Sequence, residues 1–264
     1  MAIPQKITTA LTQRDIIYGL RQLGLEKEMV VEVHSSLSSF GYVVGGAQTI
    51  NDALVECVGY DGTIAMAMQN RNNTDPVTWK NPQVPHDLQK EVRNSIPVFD
   101  RKSFDTTDMG VVADNFRRRQ GTMLSFGPSC GYAAWGKYAR LICGRQPLHF
   151  PLGEESPTAH LYDLDAVCLW MGVDLSVATS VLLAYYRANR NPIITKGCAV
   201  EIDGKRVWKK YLDIDLTEED FQFMETALRD RLRPRTVKIG EAECSMFKIK
   251  EAVDILVQVL KKRV

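Results

Sequence analysis

The stretch from Glu28 to Met68 constrains the fold more than any other part of this chain. EMVVEVHSSL places valines in β-rich sequence and ends in small polar residues, the pattern of a strand running into a loop. Gly45 and Gly46 follow, and from Ala47 the positions Ile50, Ala53, Leu54, Cys57 and Val58 share one face of a helix. Gly59 and the Asp61-Gly62 turn stop that helix before the apolar run TIAMAM. Strand, glycine loop, helix and strand in succession predict a mixed α/β fold, with a central sheet flanked by helices.

The rest of the chain extends that pattern. Thr12 with Asp15 reads as a capping pair, after which Ile16, Ile17, Leu20 and Leu23 recur at helical spacing up to Gly24. Pro76, Pro82, Pro85 and Pro97, with Pro128 and Pro147 downstream, predict a loop-rich middle, and long ordered loops usually carry function. Helical periodicity returns in VVADNFRRR and in YAAWGKYARLI, LDAVCLWMGV reads as a buried strand, and TSVLLAYYRANR again as helix. In EIDGKRVWKKY the Asp203-Gly204 pair signals a hairpin. LTEEDFQFMETALRDRL and KEAVDILVQVLKKRV read as two amphipathic helices. With no internal repeat or low-complexity tract, residues 1–264 are expected to form one domain with a hairpin-bearing carboxy-terminal part.

Charge and cysteine content narrow the partners. Thirty-three Lys and Arg against thirty-two Asp and Glu leave a net charge of +1, so no global field favours nucleic acid or an anionic membrane. Cys57, Cys130, Cys143, Cys168, Cys198 and Cys244 show no C-x-x-C spacing and read as buried free thiols in a reducing cytosol. The amino terminus lacks a signal-peptide core, and no run reaches membrane-span length, so a cytoplasmic protein is expected.

Three constellations could carry chemistry. His34-Ser35-Ser36-Leu37 through Gly45-Gly46-Ala47 joins hydroxyls, permissive backbone and a helix start, a cradle for phosphate or a plain connecting loop. In PLGEESP, Glu154 and Glu155 are placed either to favour a helix amino end or to face a cationic substrate. QNRNNTDP with WKNPQVP offers amides, an acid and an aromatic that would line a polar site or order a surface loop equally well. No Walker or G-x-G-x-x-G pattern is present.

The strings VHSSLSSFGYVVGGAQTINDAL, DPVTWKNPQVP, PVFDRKSFDTTDMGVVADNFRRR, AAWGKYA and PLGEESPTAHLYDLD, in that order, closely resemble the aminoglycoside 3-N-acetyltransferase family. Val207-Trp208, Tyr211 and Asp220-Phe221 continue the match over essentially the whole chain. The resemblance implies a transferase that moves acetyl from acetyl-CoA directly to an amine of a small molecule, without a metal, the activity associated with antibiotic resistance. It implies a CoA-binding edge at His34, Ser35, Ser36, Leu37, Val44, Gly45 and Gly46, with Ser125 approaching the cofactor. Asp75, Glu154 and Asp213 fall at or near acidic positions that would face a polyamine. A homodimer is compatible with this reading.

One departure matters most. The family's helix reads Thr-Ser-x-His-x-x-Glu, whereas here Thr179 and Ser180 are followed by Leu182 at the histidine position and Tyr185 at the glutamate position. The family's His-Pro pair is Gly127-Pro128. Losing a general base costs ~10²–10⁴-fold in rate. The resemblance therefore implies either an acyltransferase with its base replaced or a CoA- or acyl-thioester-binding protein that no longer turns over. Cys130 and Tyr185 fit packing better than catalysis, and of His34, His86, His149 and His160 only His34 belongs to the cofactor motif.

Overall fold

Thr12 opens the first helix as its spacing predicts. Its hydroxyl accepts the Asp15 amide while the Asp15 carboxylate accepts the Thr12 amide at 2.8 Å, a complete capping box, and Gly24 closes the helix in the left-handed region. In the computed structural model, residue 7 and residues 9–106 and 109–263 are described. Residues 1–6 and 8 of the amino-terminal segment read for a targeting signal thus lie outside the described residues.

In chain order the first half holds β1 (Ala10–Leu11), α1 (Gln13–Leu23), β2 (Val30–Ser35), β3 (Tyr42–Val43), α2 (Gly46–Val58) and β4 (Thr63–Gln69). The loop-rich middle contributes α3 (Gln89–Ser95), α4 (Gly110–Arg117), β5 (Met123–Leu124), β6 (Cys130–Gly136), α5 (Ala139–Cys143) and α6 (Pro157–Asp163). The remainder is β7 (Val167–Met171), α7 (Leu183–Ala188), β8 (Ile193–Ile202), β9 (Lys205–Ile214), α8 (Glu218–Arg229), β10 (Arg235–Ile239), β11 (Ala242–Lys248) and α9 (Ile249–Lys262). Among the described residues no helix is long and apolar enough to cross a membrane.

A seven-stranded sheet in the order β10-β11-β7-β2-β4-β6-β5 forms the centre of this mixed α/β domain. Among the described residues the parallel pairs of this sheet are β2 with β4 on one side and β2 with β7 on the other; its outer strands run antiparallel. Because side chains alternate along a strand, the sheet divides the interior into two layers. Val31 and Val33 of β2 pack towards Ile16, Leu20, Ile50, Leu54 and Phe116 of α1, α2 and α4. Val30 lies on the opposite layer with Leu161, Leu183, Leu228 and Leu256 of α6, α7, α8 and α9.

Two expectations require correction. YAAWGKYARLI is not one helix: residues up to Gly136 continue β6, whose small Ala133 and Ala134 are buried between β4 and β5, and only Ala139–Cys143 is helical. Gly136 ends the strand with φ of 107°, where a Cβ would stand 2.1 Å from the Gly62 carbonyl. TSVLLAYYRANR begins as a 3₁₀ turn over Thr179–Leu182 before α7 starts. The Asp203-Gly204 hairpin forms as expected, from β8 and β9, but as a separate two-stranded ribbon. Strands β10 and β11, which extend the sheet on the far side of β7, were not expected from the sequence.

Candidate active site

Beyond the carboxyl ends of β2, β4 and β7 the chain leaves a cleft of about 800 Å³. Open α/β sheets receive ligands at this kind of position. His34, Ser35, Ser36 and Leu37 form one wall, Gly46 at the start of α2 forms the floor, and Met109 to Val111 with Val173 and Val177 face them. Local backbone chemistry fixes the wall. The Ser36 amide donates to the Met171 carbonyl at 2.9 Å, and Ser39 Oγ donates to the Gly172 carbonyl at 2.9 Å, so the loop after β2 is clasped to the end of β7. Gly45 caps α2 at φ of 79°, and a side chain there would collide with Thr49 Oγ1 at 2.4 Å.

Below the cleft lies a polar cluster that the surrounding apolar layer makes conspicuous. Glu32, fully buried, shares a strand face with His34 because the two are separated by one residue. Tyr132 of β6 donates its hydroxyl to Glu32 Oε1 at 2.7 Å, and Ser180 of the 3₁₀ turn donates to Oε2. His34 Nε2 stands 3.4 Å from the same Oε2, an ion-pair distance rather than a well-formed hydrogen bond, and has no other partner. Burial works against the charged carboxylate, but the imidazole beside it and the Ser180 and Tyr132 hydroxyls outweigh that penalty and hold Glu32 below the ordinary glutamate range.

Cys168, paired with Glu32 across β7, completes a carboxylate, imidazole and thiol set lying within 4.8 Å. Within that set the carboxylate oxygens are engaged by Tyr132 and Ser180, and burial with the Glu32 charge pushes the thiol well up, away from thiolate.

The candidate residues separate into groups. His34, Ser35, Ser36, Leu37 and Gly46 line the cleft, and Val44 and Gly45 sit on the turn beside it. Ser125 is buried below β6, donating to Gln146 at 2.6 Å and accepting the Tyr132 amide at 2.8 Å, so its hydroxyl props that strand. Glu154 and Tyr186 line a second cavity of about 490 Å³, and Asp213 reaches it through the Tyr186 hydroxyl at 2.8 Å. Asp75 is elsewhere, capping a 3₁₀ turn in the long loop. Each of the three acids already holds a cation at 2.8 Å: Arg93 on Asp75, Arg187 on Glu154 and Lys196 on Asp213.

The asparagine-rich stretch serves the ordered-loop reading. Asn73 exchanges two hydrogen bonds with the Ala199 backbone, at 3.0 and 2.7 Å, and so ties the loop to β8. Leu182 and Tyr185 are buried in the apolar layer, and Tyr185 donates its hydroxyl to the Asp220 carbonyl at 2.5 Å. Burial, reinforced by the Asp213 charge, pushes the Cys130 thiol up to about 12, which removes it as a base at neutral pH. Glu32 and Tyr132 were missed from the sequence. The available signal was a charged residue inside EMVVEVHSS, two places before a histidine.

Fold and cleft together define a mixed α/β domain with a ligand-sized cleft at the carboxyl ends of its central strands, and comparison with known proteins places it further. The profile of the family described as aminoglycoside 3-N-acetyltransferase matches residues 33–261, and the chain belongs to that family. It is 38% identical over 253 residues to the SPbeta prophage-derived aminoglycoside N(3')-acetyltransferase-like protein YokD of Bacillus subtilis strain 168, covering 96% of this chain and 93% of that one. The crystal structure of YokD from Bacillus subtilis superposes with a TM-score of 0.92 over 97% of both chains, at 37% identity. Aminoglycoside N(3)-acetyltransferase IX of Micromonospora chalcea is 30% identical, with 90% and 89% of the two chains covered. A solved structure described as AAC-IIIb binary with CoASH shares the fold at a TM-score of 0.84 and 24% identity, over 97% of this chain and 98% of that one.

Proposed function

We propose that this chain binds acetyl-CoA in the cleft at the carboxyl end of β2 and transfers the acetyl group to an amine of an aminoglycoside or another small polar molecule. The observation that carries the reading is the cleft itself: hydroxyls of Ser35 and Ser36 on one wall and the start of a 13-residue helix beneath them. Such a helix start presents unpaired amide donors and positive dipole potential to phosphate oxygens. The fold shared with a protein described as bound to CoASH supports the same choice of cofactor. His34 to Leu37 and Val44 to Gly46 form the cofactor edge in this reading, and Glu154 and Asp213 flank the acceptor side.

A second reading, binding without turnover, is favoured by the packing of Leu182 and Tyr185, which fill the family's histidine and glutamate positions with buried side chains. Two measurements separate them. Calorimetry with CoA tests the shared premise, and no heat of binding removes both readings. Thiol release from acetyl-CoA with an amine panel tests turnover: release with any amine supports the transferase, and binding with no release supports the second reading.

A further inference from the structure

We propose that His34, oriented by Glu32, is the proton acceptor for acyl transfer in this chain, in place of the imidazole that its family carries at the Leu182 position. The inference rests on the cleft reading above and goes beyond it, since that reading leaves the base unassigned. Three observations carry it.

First, the pair is built. Glu32 lies at the centre of an apolar layer, where an unpaired carboxylate is costly, and is fixed from two other elements by Tyr132 and Ser180. A carboxylate only accepts, so in this proposal the 3.4 Å approach of Glu32 Oε2 favours the tautomer with its N–H at Nε2, which leaves the Nδ1 lone pair to take a proton. Second, His34 reaches the cleft and Glu32 does not: the imidazole is among the cleft-lining groups, whereas the carboxylate is fully buried beneath it. Third, the pair stands beside the altered turn. Ser180, which donates to Glu32, lies two residues before Leu182 on the same 3₁₀ turn, so the lost base position and the new one are joined through one carboxylate.

The chemistry balances without another reagent. The neutral amine nitrogen attacks the thioester carbonyl carbon, the N–C bond forms and the C–S bond breaks. The proton released by the nitrogen passes to His34 Nδ1 and from there to the departing CoA sulfur, which returns the imidazole to its neutral form. Glu32 keeps its charge and stabilises the imidazolium formed in between, as the orienting acid does in a triad. The titratable groups facing the pair are Cys168 of β7 with Tyr132 and Cys130 of β6; burial raises all three, so each is neutral near pH 7.

The test uses the full chain, acetyl-CoA and a panel of amines that includes sisomicin and ethanolamine. His34→Asn is expected to lower thiol release ~10²–10⁴-fold at saturating acetyl-CoA, with the CoA affinity of the variant measured alongside so that the loss is read in kcat rather than in binding. Glu32→Gln is expected to lower it less and to raise the Nδ1–H share of the His34 ring tautomers, because the acceptor that orients the imidazole and stabilises the imidazolium formed in the step is gone. Nitrogen NMR of the His34 ring in the unmodified protein is independent of turnover and of folding of the variants, and is expected to report the Nε2–H tautomer. An Nδ1–H tautomer, or an unchanged rate in His34→Asn, overturns the proposal. CoA binding with no thiol release from the unmodified protein also overturns it and leaves the second reading above in place. Absence of CoA binding removes the cleft reading instead.

Discussion

The two faces of the central sheet are built from different materials. Towards α1, α2 and α4 the strands present Val31, Val33, Ile64, Met66 and Leu169 to a layer of aliphatic side chains. The opposite face carries Glu32, Tyr132 and Cys168, all buried, with His34 partly exposed at its edge, beside Ala65 and Ala67. An apolar layer needs only volume and shape, whereas a buried carboxylate needs partners on every side. Both faces reach the cleft, Val33, Val43 and Ala113 from the aliphatic side and His34 and Ala67 from the polar one, so the place where the core departs from the simplest packing adjoins the place where a ligand would arrive.

The largest effect is expected from breaking that polar face at its centre. Glu32→Ala leaves the Tyr132 and Ser180 hydroxyls and the His34 imidazole without their acceptor, and should destabilise the fold by ~3–5 kcal/mol in denaturant titration. The loss should depend on pH. A carboxylate held below its ordinary value contributes stability that is fully present above ~4.3 and disappears as the pH falls through its folded-state value. The gap between unmodified protein and Glu32→Ala should therefore narrow on acidification through that value, leaving the part due to the unpaired Tyr132 and Ser180 hydroxyls. On the other face Leu54→Ala should cost ~2–5 kcal/mol through a cavity alone, and the difference should persist across the same pH range. A pH-independent Glu32→Ala loss would erase the contrast between the faces.

Smaller effects sharpen the description of the cleft. Gly45→Ala places a Cβ against Thr49 in left-handed backbone and should cost ~1–3 kcal/mol, together with weaker CoA binding by calorimetry. Glu154→Gln removes a carboxylate that is 60% exposed from its pair with Arg187 and should change stability by only ~0–1 kcal/mol. Thermal denaturation at two salt concentrations would detect a larger contribution, since an exposed pair weakens with ionic strength.

The sequence displayed the fold where local signals and tertiary packing agree. Thr12 and Asp15, the Gly45-Gly46 entry to α2 and the Asp203-Gly204 turn each specify local geometry that the structure retains. YAAWGKYARLI misled because small apolar residues suit a helix face and a strand buried on both sides equally, and only pairing with β4 decides between them. Strands β10 and β11 are hard to read because Arg235–Ile239 alternates only weakly and gains its place from β11, which in turn gains its own from Met171 and its neighbours on β7. The cleft wall was legible as a motif. The cluster beneath it was not, because Glu32, Tyr132 and Ser180 come from separate parts of the chain and meet only through the sheet.

In the proposed reading, the cations on Glu154 and Asp213 bear on what an acceptor must do to enter. A free carboxylate attracts an ammonium group directly, but a carboxylate already matched must first release a guanidinium or ammonium tethered by its own chain, which competes at a local concentration that short tethers set near the millimolar range or above. These acids therefore behave as an ion exchanger supplied with its own counter-ions. Added salt loosens the resident and the incoming cation together, so the affinity for a polyamine should vary with ionic strength far less steeply than the number of carboxylates alone implies.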